Sequence, residues 1–157
     1  LPVVVGEALY TKEQFLPVFA HRAADIINPD ICAVGGITAM LDIAALAAPH
    51  AVAVSPHNFN SPIVGLAATV HLSALLTNFT IAELFVHLIE PTRDLAARGL
   101  SSTPGWVDLP TEPGLGIDLD RGELSRRPYG DLPGKGLRHH WEEFPRKAAV
   151  RSSALPS

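Results

Sequence analysis

The sequence predicts an α/β chain of parallel strands joined by crossover helices, and three observations carry that expectation. Four short apolar runs, 1–5, 25–28, 51–54 and 79–82, are separated by segments with helical spacing. The runs lead into Glu7, Asp30, His57 and Glu83, ionisable side chains 23, 27 and 26 residues apart. Repeating βα units of this size build a parallel barrel or an open parallel sheet. Parallel neighbours joined by a crossover helix end at the same edge of the sheet, so the four groups should meet there. That edge is where barrel enzymes keep their chemistry.

The first element, Leu1 to Val5, is continuously apolar, reads as a strand buried on both faces, and closes in Gly6-Glu7. Thr11-Lys12-Glu13-Gln14 offers a capping box, with Thr11 as N-cap and Gln14 three residues on. Phe15, Leu16, Val18 and Phe19 give that helix an apolar side, and His21-Arg22 suits the negative end of its dipole. Pro17 should bend or delay it. The second strand is Asp25 to Asn28, with Asp30 just beyond Pro29. Gly35-Gly36 then turns into a helix with an apolar face of Ile37, Met40, Leu41, Ala44, Ala45 and Ala48, stopped by Pro49. The two glycines match neither the dinucleotide fingerprint nor the phosphate loop, so a close turn is their reading. Ala51 to Val54, the third strand, delivers His57. Ser61 is the expected N-cap of the next helix, with Pro62 at its first position and Ile63, Leu66, Ala67, Val70 and Ala74 on its buried face. His71 reads as a surface or packing histidine of that helix. A fourth strand, Phe79 to Ala82, ends on Glu83.

Composition bounds the function. At 157 residues there is room for one domain with a sizeable core, and 47% apolar content is ordinary for a globular chain. A single cysteine, Cys32, excludes an internal disulfide and a cysteine-rich zinc site, in keeping with a reducing, cytoplasmic setting. Residues 1–120 carry four basic and twelve acidic side chains, a net of −8, whereas residues 121–157 carry eight and four, a net of +4. The basic groups of the tail, among them Arg126-Arg127, Arg138 and Arg146-Lys147, are scattered among Pro, Gly and Glu rather than forming a stripe, which argues against nucleic acid. Residues 43–82 hold no Asp, Glu, Lys or Arg, but Pro49, Pro56 and Pro62 with nearby His and Asn break the run into pieces too short for a membrane span. No basic segment with a cleavage site opens the chain, so no signal peptide is expected.

The pair Asp30 and His57 is the chemical centre of this pattern. A carboxylate beside an imidazole orients the ring and fixes its tautomer, which equips it as a general acid/base. Taken alone, the two could equally be solvated polar groups capping strand ends. Four ionisable strand ends in succession turn the reading toward a site.

Gly6-Glu7, Asn28-Pro29-Asp30 with Gly35-Gly36-Ile37-Thr38, and Ser55-Pro56-His57 resemble the C-terminal part of the enolase superfamily. Within it they are similar to the mandelate racemase/muconate lactonizing group, and especially to acid-sugar dehydratases of the galactonate dehydratase type. Residues 106–120, with Pro113-Gly114-Leu115-Gly116-Ile117, resemble that group's closing segment. The resemblance implies the C-terminal half of a (β/α) TIM-type barrel at 1–90, a closing segment at 91–120 returning toward a capping domain, and a basic Pro/Gly-rich tail at 121–157. It implies Mg²⁺ as cofactor with Glu7 as the last of three carboxylate ligands. His57 would be general acid/base, Asp30 its orienter, and Glu83 a hydrogen-bond partner of the substrate carboxylate as it becomes an enolate. The implied substrate is a sugar acid, an aldonate or aldarate, and the complete enzyme would be a homo-oligomer. A racemase or epimerase of 2-hydroxy acids runs on the same chemistry.

The departures from that pattern shape a further expectation. The family's two earlier metal carboxylates, its earlier base and its N-terminal capping domain have no counterpart here, and the chain opens on Leu1 rather than Met. The chain therefore reads as the C-terminal part of an enzyme, truncated or split, inactive alone or serving only as an assembly piece. His139-His140 in the tail, without other ligands nearby, read as solvated residues rather than a metal site.

Overall fold

The computed structural model describes residues 1–59, 61–84 and 95–128. The chain divides into a unit spanning Leu1–Arg126 and a second spanning Arg127–Ser157. Residues 91–94 of the expected closing segment, Arg138, Arg146-Lys147 and His139-His140 lie outside the described residues.

Three parallel strands, β1 (Val4–Val5), β2 (Ile26–Ile27) and β3 (Ala53–Val54), form one sheet in that order. Val4 pairs with Ile26 and Val5 with Ile27, and these pair in turn with Ala53 and Val54. Helix α1 (Lys12–Ala20) connects β1 to β2, and α2 (Ile37–Ala47), followed by a 3₁₀ turn (Ala48–His50), connects β2 to β3. Helix α3 (Ile63–Leu75) leads to the fourth run, which lies parallel to β3 through one bridge, Val54 to Phe79. The βα repeat is as the spacing predicts. The fourth strand is reduced to that bridge and to the bonds Val54 N–H to Asn78 O (2.8 Å), Thr80 N–H to Val54 O (3.0 Å) and Glu83 N–H to Pro56 O (3.1 Å). The Asn78 amide anchors the entry to this run by donating to the carbonyls of Ala44 and Val52.

The core lies between the sheet and its helices. Phe15 and Phe19 of α1, Ile27 of β2, Met40, Ile43, Ala44 and Ala47 of α2, Val54 of β3 and Leu72 of α3 are buried together. Each large apolar side chain taken fully out of water contributes roughly 1.5–3 kcal/mol. The N-terminus of α1 is as expected: Gln14 Oε1 accepts from the backbone N–H groups of Tyr10 (2.6 Å) and Thr11 (3.2 Å).

Several expectations need correction. Helix α1 starts at Lys12 and continues through Pro17, so the proline does not delay it. The missing N–H costs only the bond to Glu13 in the first turn, and Phe15 and Phe19 anchor the helix on both sides of the proline. The buried face of α2 keeps Met40 and Ala44 as expected but is rotated about them: Ile43 and Ala47 are inside, whereas Ile37, Ala45 and Ala48 are exposed. In α3 the N-cap is Pro62, whose carbonyl accepts from Leu66 N–H at 3.0 Å, rather than Ser61. Its buried residues include Gly65, Ala68, Thr69 and Leu72, while Ala74 is exposed. Strand β1 is not covered on both sides: Leu1, Val3 and Val4 are exposed, because no described strand pairs with its outer edge.

Residues 95–128 fold differently. Strand β4 (Ala96–Arg98) pairs antiparallel with β7 (Asp118–Leu119), and β5 (Ser102–Thr103) with β6 (Trp106–Val107), ahead of a short helix α4 (Arg121–Arg126). His71, expected only to pack on α3, holds this segment: its Nε2 lies 3.1 Å from the Leu115 carbonyl. No helix of the described residues is long and apolar enough to cross a membrane.

Candidate active site

Glycines and prolines bring the strand ends together. At Gly6, which closes β1, φ is +144°, and a Cβ there would stand 3.0 Å from both Asn28 N and Phe15 Cε1. Only glycine lets the chain pass this point and turn into Glu7. Beyond β2, Pro29 is followed by Asp30, and Asp30 Oδ1 accepts from Cys32 N–H at 2.8 Å. This local side-chain turn aims the carboxylate back along the sheet edge. The Gly35-Gly36 turn, with φ of +106° and +95°, then starts α2. Beyond β3, His57 N–H donates to Pro29 O at 3.0 Å, so Asp30 and His57 stand side by side in a parallel bridge.

The four residues singled out from the sequence converge on one imidazole. His57 Nδ1 lies 3.1 Å from Asp30 Oδ2. An ionised carboxylate can only accept, so the proton of this bond sits on Nδ1. His57 Nε2 lies 3.4 Å from Glu7 Oε2 and 3.5 Å from Glu83 Oε2. The Asp30 and His57 side chains are 9% and 14% exposed, against 68% for Glu7 and 49% for Glu83. The dyad is thus sheltered, and two more open carboxylates flank its working nitrogen.

Chemically, this arrangement can carry a proton on Nε2 and exchange it with a ligand at the sheet edge. Two supports were not read from the sequence. Cys32 N–H fixes Asp30, and Asn58 N–H donates to Glu83 Oε2 at 3.3 Å. An aspartate two residues before a turn N–H signals the first; nothing local signals the second.

Among the described residues no group of three or more His, Cys, Asp and Glu side chains is arranged to hold a metal ion. Mg²⁺ keeps a strict octahedral shell and stays where several anionic oxygens meet it. Glu7, exposed and turned toward an imidazole, fits as one donor of such a set and does not make the set by itself.

The family model described as enolase C-terminal domain-like matches residues 1–123. The chain is similar to a D-gluconate dehydratase of Thermoproteus tenax, 31% identical over 147 residues, covering 88% of this chain and 29% of that protein. It is similar also to a D-galactonate dehydratase of Ralstonia pickettii (strain 12J), 33% identical over 135 residues, covering 81% and 35%. Among solved structures, a mandelate racemase/muconate lactonizing enzyme-like protein from Rubrobacter xylanophilus superposes with a TM-score of 0.75 at 32% identity, covering 84% of this chain and 34% of that one. The chain spans about a third of the length of these relatives.

Proposed function

The chain belongs to the enolase C-terminal domain-like family, and on that premise we propose that it is the C-terminal half of a (β/α) barrel acting on sugar acids. In this reading residues 1–90 supply the barrel half, 91–120 the segment closing toward a capping domain, and 121–157 a basic tail. The parallel order β1-β2-β3 and the uncovered apolar edge at Val3 and Val4 support further strands beside β1. The reaction proposed is a dehydration, since similar proteins carry the names gluconate and galactonate dehydratase.

One observation carries the proposal: His57 is gripped by Asp30 through Nδ1, with Nε2 left between Glu7 and Glu83. A proton beside a carboxylate is weakly acidic, because removing it puts a second negative charge on the carboxylate oxygens. Mg²⁺, held by Glu7 together with carboxylates outside the described residues, would supply fixed positive charge against that build-up. A base outside the described residues takes the α-proton. Electrons then return from the enediolate to form a carbon–carbon double bond, and the β-hydroxyl leaves with the Nε2 proton of His57 as water. The resulting enol tautomerises to a 2-keto acid. Glu83, as the neutral carboxyl, donates a hydrogen bond to a substrate carboxylate oxygen. Asp30 holds the ring and balances the imidazolium. In the complete enzyme this half-site would repeat in a homo-oligomer.

A racemase or epimerase is the second reading, favoured by the likeness to the mandelate racemase/muconate lactonizing enzyme-like structure. There Nε2 returns its proton to the α-carbon. The experiment that separates the two co-expresses this chain with the preceding portion of a galactonate dehydratase relative. The product is incubated with Mg²⁺ and a panel of aldonic and aldaric acids in D₂O. Keto-acid formation supports dehydration; α-deuteration without keto acid supports racemisation. Neither outcome with any acid leaves an inert assembly piece.

A further inference from the structure

Among the described residues, two buried side-chain polar atoms are without a hydrogen-bond partner, Asn28 Oδ1 and Asn58 Oδ1. Both belong to residues at the carboxyl edge of the sheet, Asn28 two positions before Asp30 and Asn58 next to His57. A folded chain satisfies nearly all such atoms, so an exception beside a site calls for a donor that the free protein lacks. Asn58 is closed in and already commits its backbone N–H to Glu83. Asn28 is only partly buried, and its carboxamide lies alongside Gly6, where a Cβ would come within 3.2 Å of Oδ1. Its backbone N–H donates to Val5 O (3.1 Å), which holds Asn28 beside the end of β1 that leads into Glu7.

We propose that Asn28 is a specificity-determining residue of this site, its carboxamide hydrogen-bonding a hydroxyl group of the sugar acid. The inference rests on the sugar-acid reading above and deepens it. Ionised Glu7 and Asp30 can only accept hydrogen bonds, whereas a carboxamide both donates and accepts without adding charge. It can therefore pair with a hydroxyl in either sense, and it loses that pairing when the ligand offers an alkyl group. A site that hydrogen-bonds a ligand hydroxyl rejects the analogue lacking it strongly, because its own polar group is then left unpaired.

The test measures binding of D-galactonate and of pentanoate, a carboxylate without hydroxyls, to the 157-residue chain by ligand-observed NMR at millimolar concentration. The unmodified chain should prefer D-galactonate, and Asn28→Leu should weaken that acid by about tenfold or more while leaving pentanoate unchanged. Asn28→Ser, which keeps a short polar group, should fall between, and a circular dichroism melt checks each variant's fold. Removing an unpaired buried oxygen should leave the Asn28→Leu melting temperature equal or higher. A lower melting temperature would mean that the oxygen has an internal structural partner, and the proposal fails. An unchanged galactonate-to-pentanoate ratio in folded Asn28→Leu or Asn28→Ser also overturns it, leaving the sugar-acid reading intact. Absence of any preference for D-galactonate in the unmodified chain also overturns the proposal, while the sugar-acid reading stands or falls with the co-expression experiment.

Discussion

Replacing Asp30 by Asn changes one oxygen into an NH₂ group, and its two hydrogen bonds respond differently. Asp30 Oδ1 can keep its bond from Cys32 N–H, since an amide oxygen also accepts. The other atom, 3.1 Å from His57 Nδ1, becomes a donor facing a donor. The ring can restore a hydrogen bond only by moving its proton from Nδ1 to Nε2. The neutral imidazole then points an N–H, rather than a lone pair, toward the space between Glu7 and Glu83. Losing one hydrogen bond to a charged, sheltered acceptor should cost about 1.5–3 kcal/mol, less whatever the new amide contact returns. A net loss of about 1–2 kcal/mol lowers the melting temperature of a domain this size by about 3–8 °C. Circular dichroism reads the melt, and long-range ¹H–¹⁵N NMR reads the tautomer of His57. An Asp30→Asn protein with an unchanged melt and the proton still on Nδ1 would refute the assigned pairing.

The same geometry makes further outcomes testable. Ile43→Ala, at a fully buried position of α2, should cost about 2–5 kcal/mol in chemical denaturation, whereas Ala45→Ser on the exposed face should stay within about 0.5 kcal/mol. Equal effects at the two positions would contradict the rotated face. Calorimetry should find only weak Mg²⁺ binding to the chain alone; tight stoichiometric binding lost in Glu7→Gln would reveal further local ligands beside Glu7. His71→Phe keeps the packing but removes the bond to the Leu115 carbonyl, so amide exchange across 113–119 should quicken while the global melt barely moves. Unchanged exchange would mean that His71 does not hold the segment. The purified chain alone should turn over no sugar acid above background, since the described residues present neither a complete cation site nor a second base beside His57.

The sequence disclosed the βα repeat because short apolar runs, prolines and glycines punctuate it at regular intervals, and it disclosed the candidate site because chemistry-bearing residues recur where those runs stop. Asp30 and His57 were legible as neighbours once the crossover was assumed, since parallel pairing sets their register. The buried face of α3 was legible only in part: Ile63, Leu66 and Ala67 are buried as the spacing predicts, but the segment is apolar nearly all round, and Gly65, Ala68 and Thr69 are buried as well by what packs on them. For α2, Ile43 and the alanines around it fit the helical spacing equally well, so spacing alone does not select Ile43. Exposure of β1 could not be read from its apolar run, because burial depends on neighbouring strands that composition does not reveal. The antiparallel pairs of 95–120 carry two- and three-residue strands, too short for alternation to register. The contact of Asn58 N–H with Glu83 spans 25 residues and leaves no local trace.

The central claim is that His57 Nε2 carries the proton, and one substitution tests it most directly. His57→Asn should be made in the chain co-expressed with the preceding portion of a galactonate dehydratase relative, and keto-acid formation from D-galactonate should be measured with Mg²⁺ present. Turnover supported by the unmodified chain should fall to background in the variant, with circular dichroism and Mg²⁺ binding nearly unchanged. Undiminished turnover by the folded His57→Asn assembly would contradict the claim.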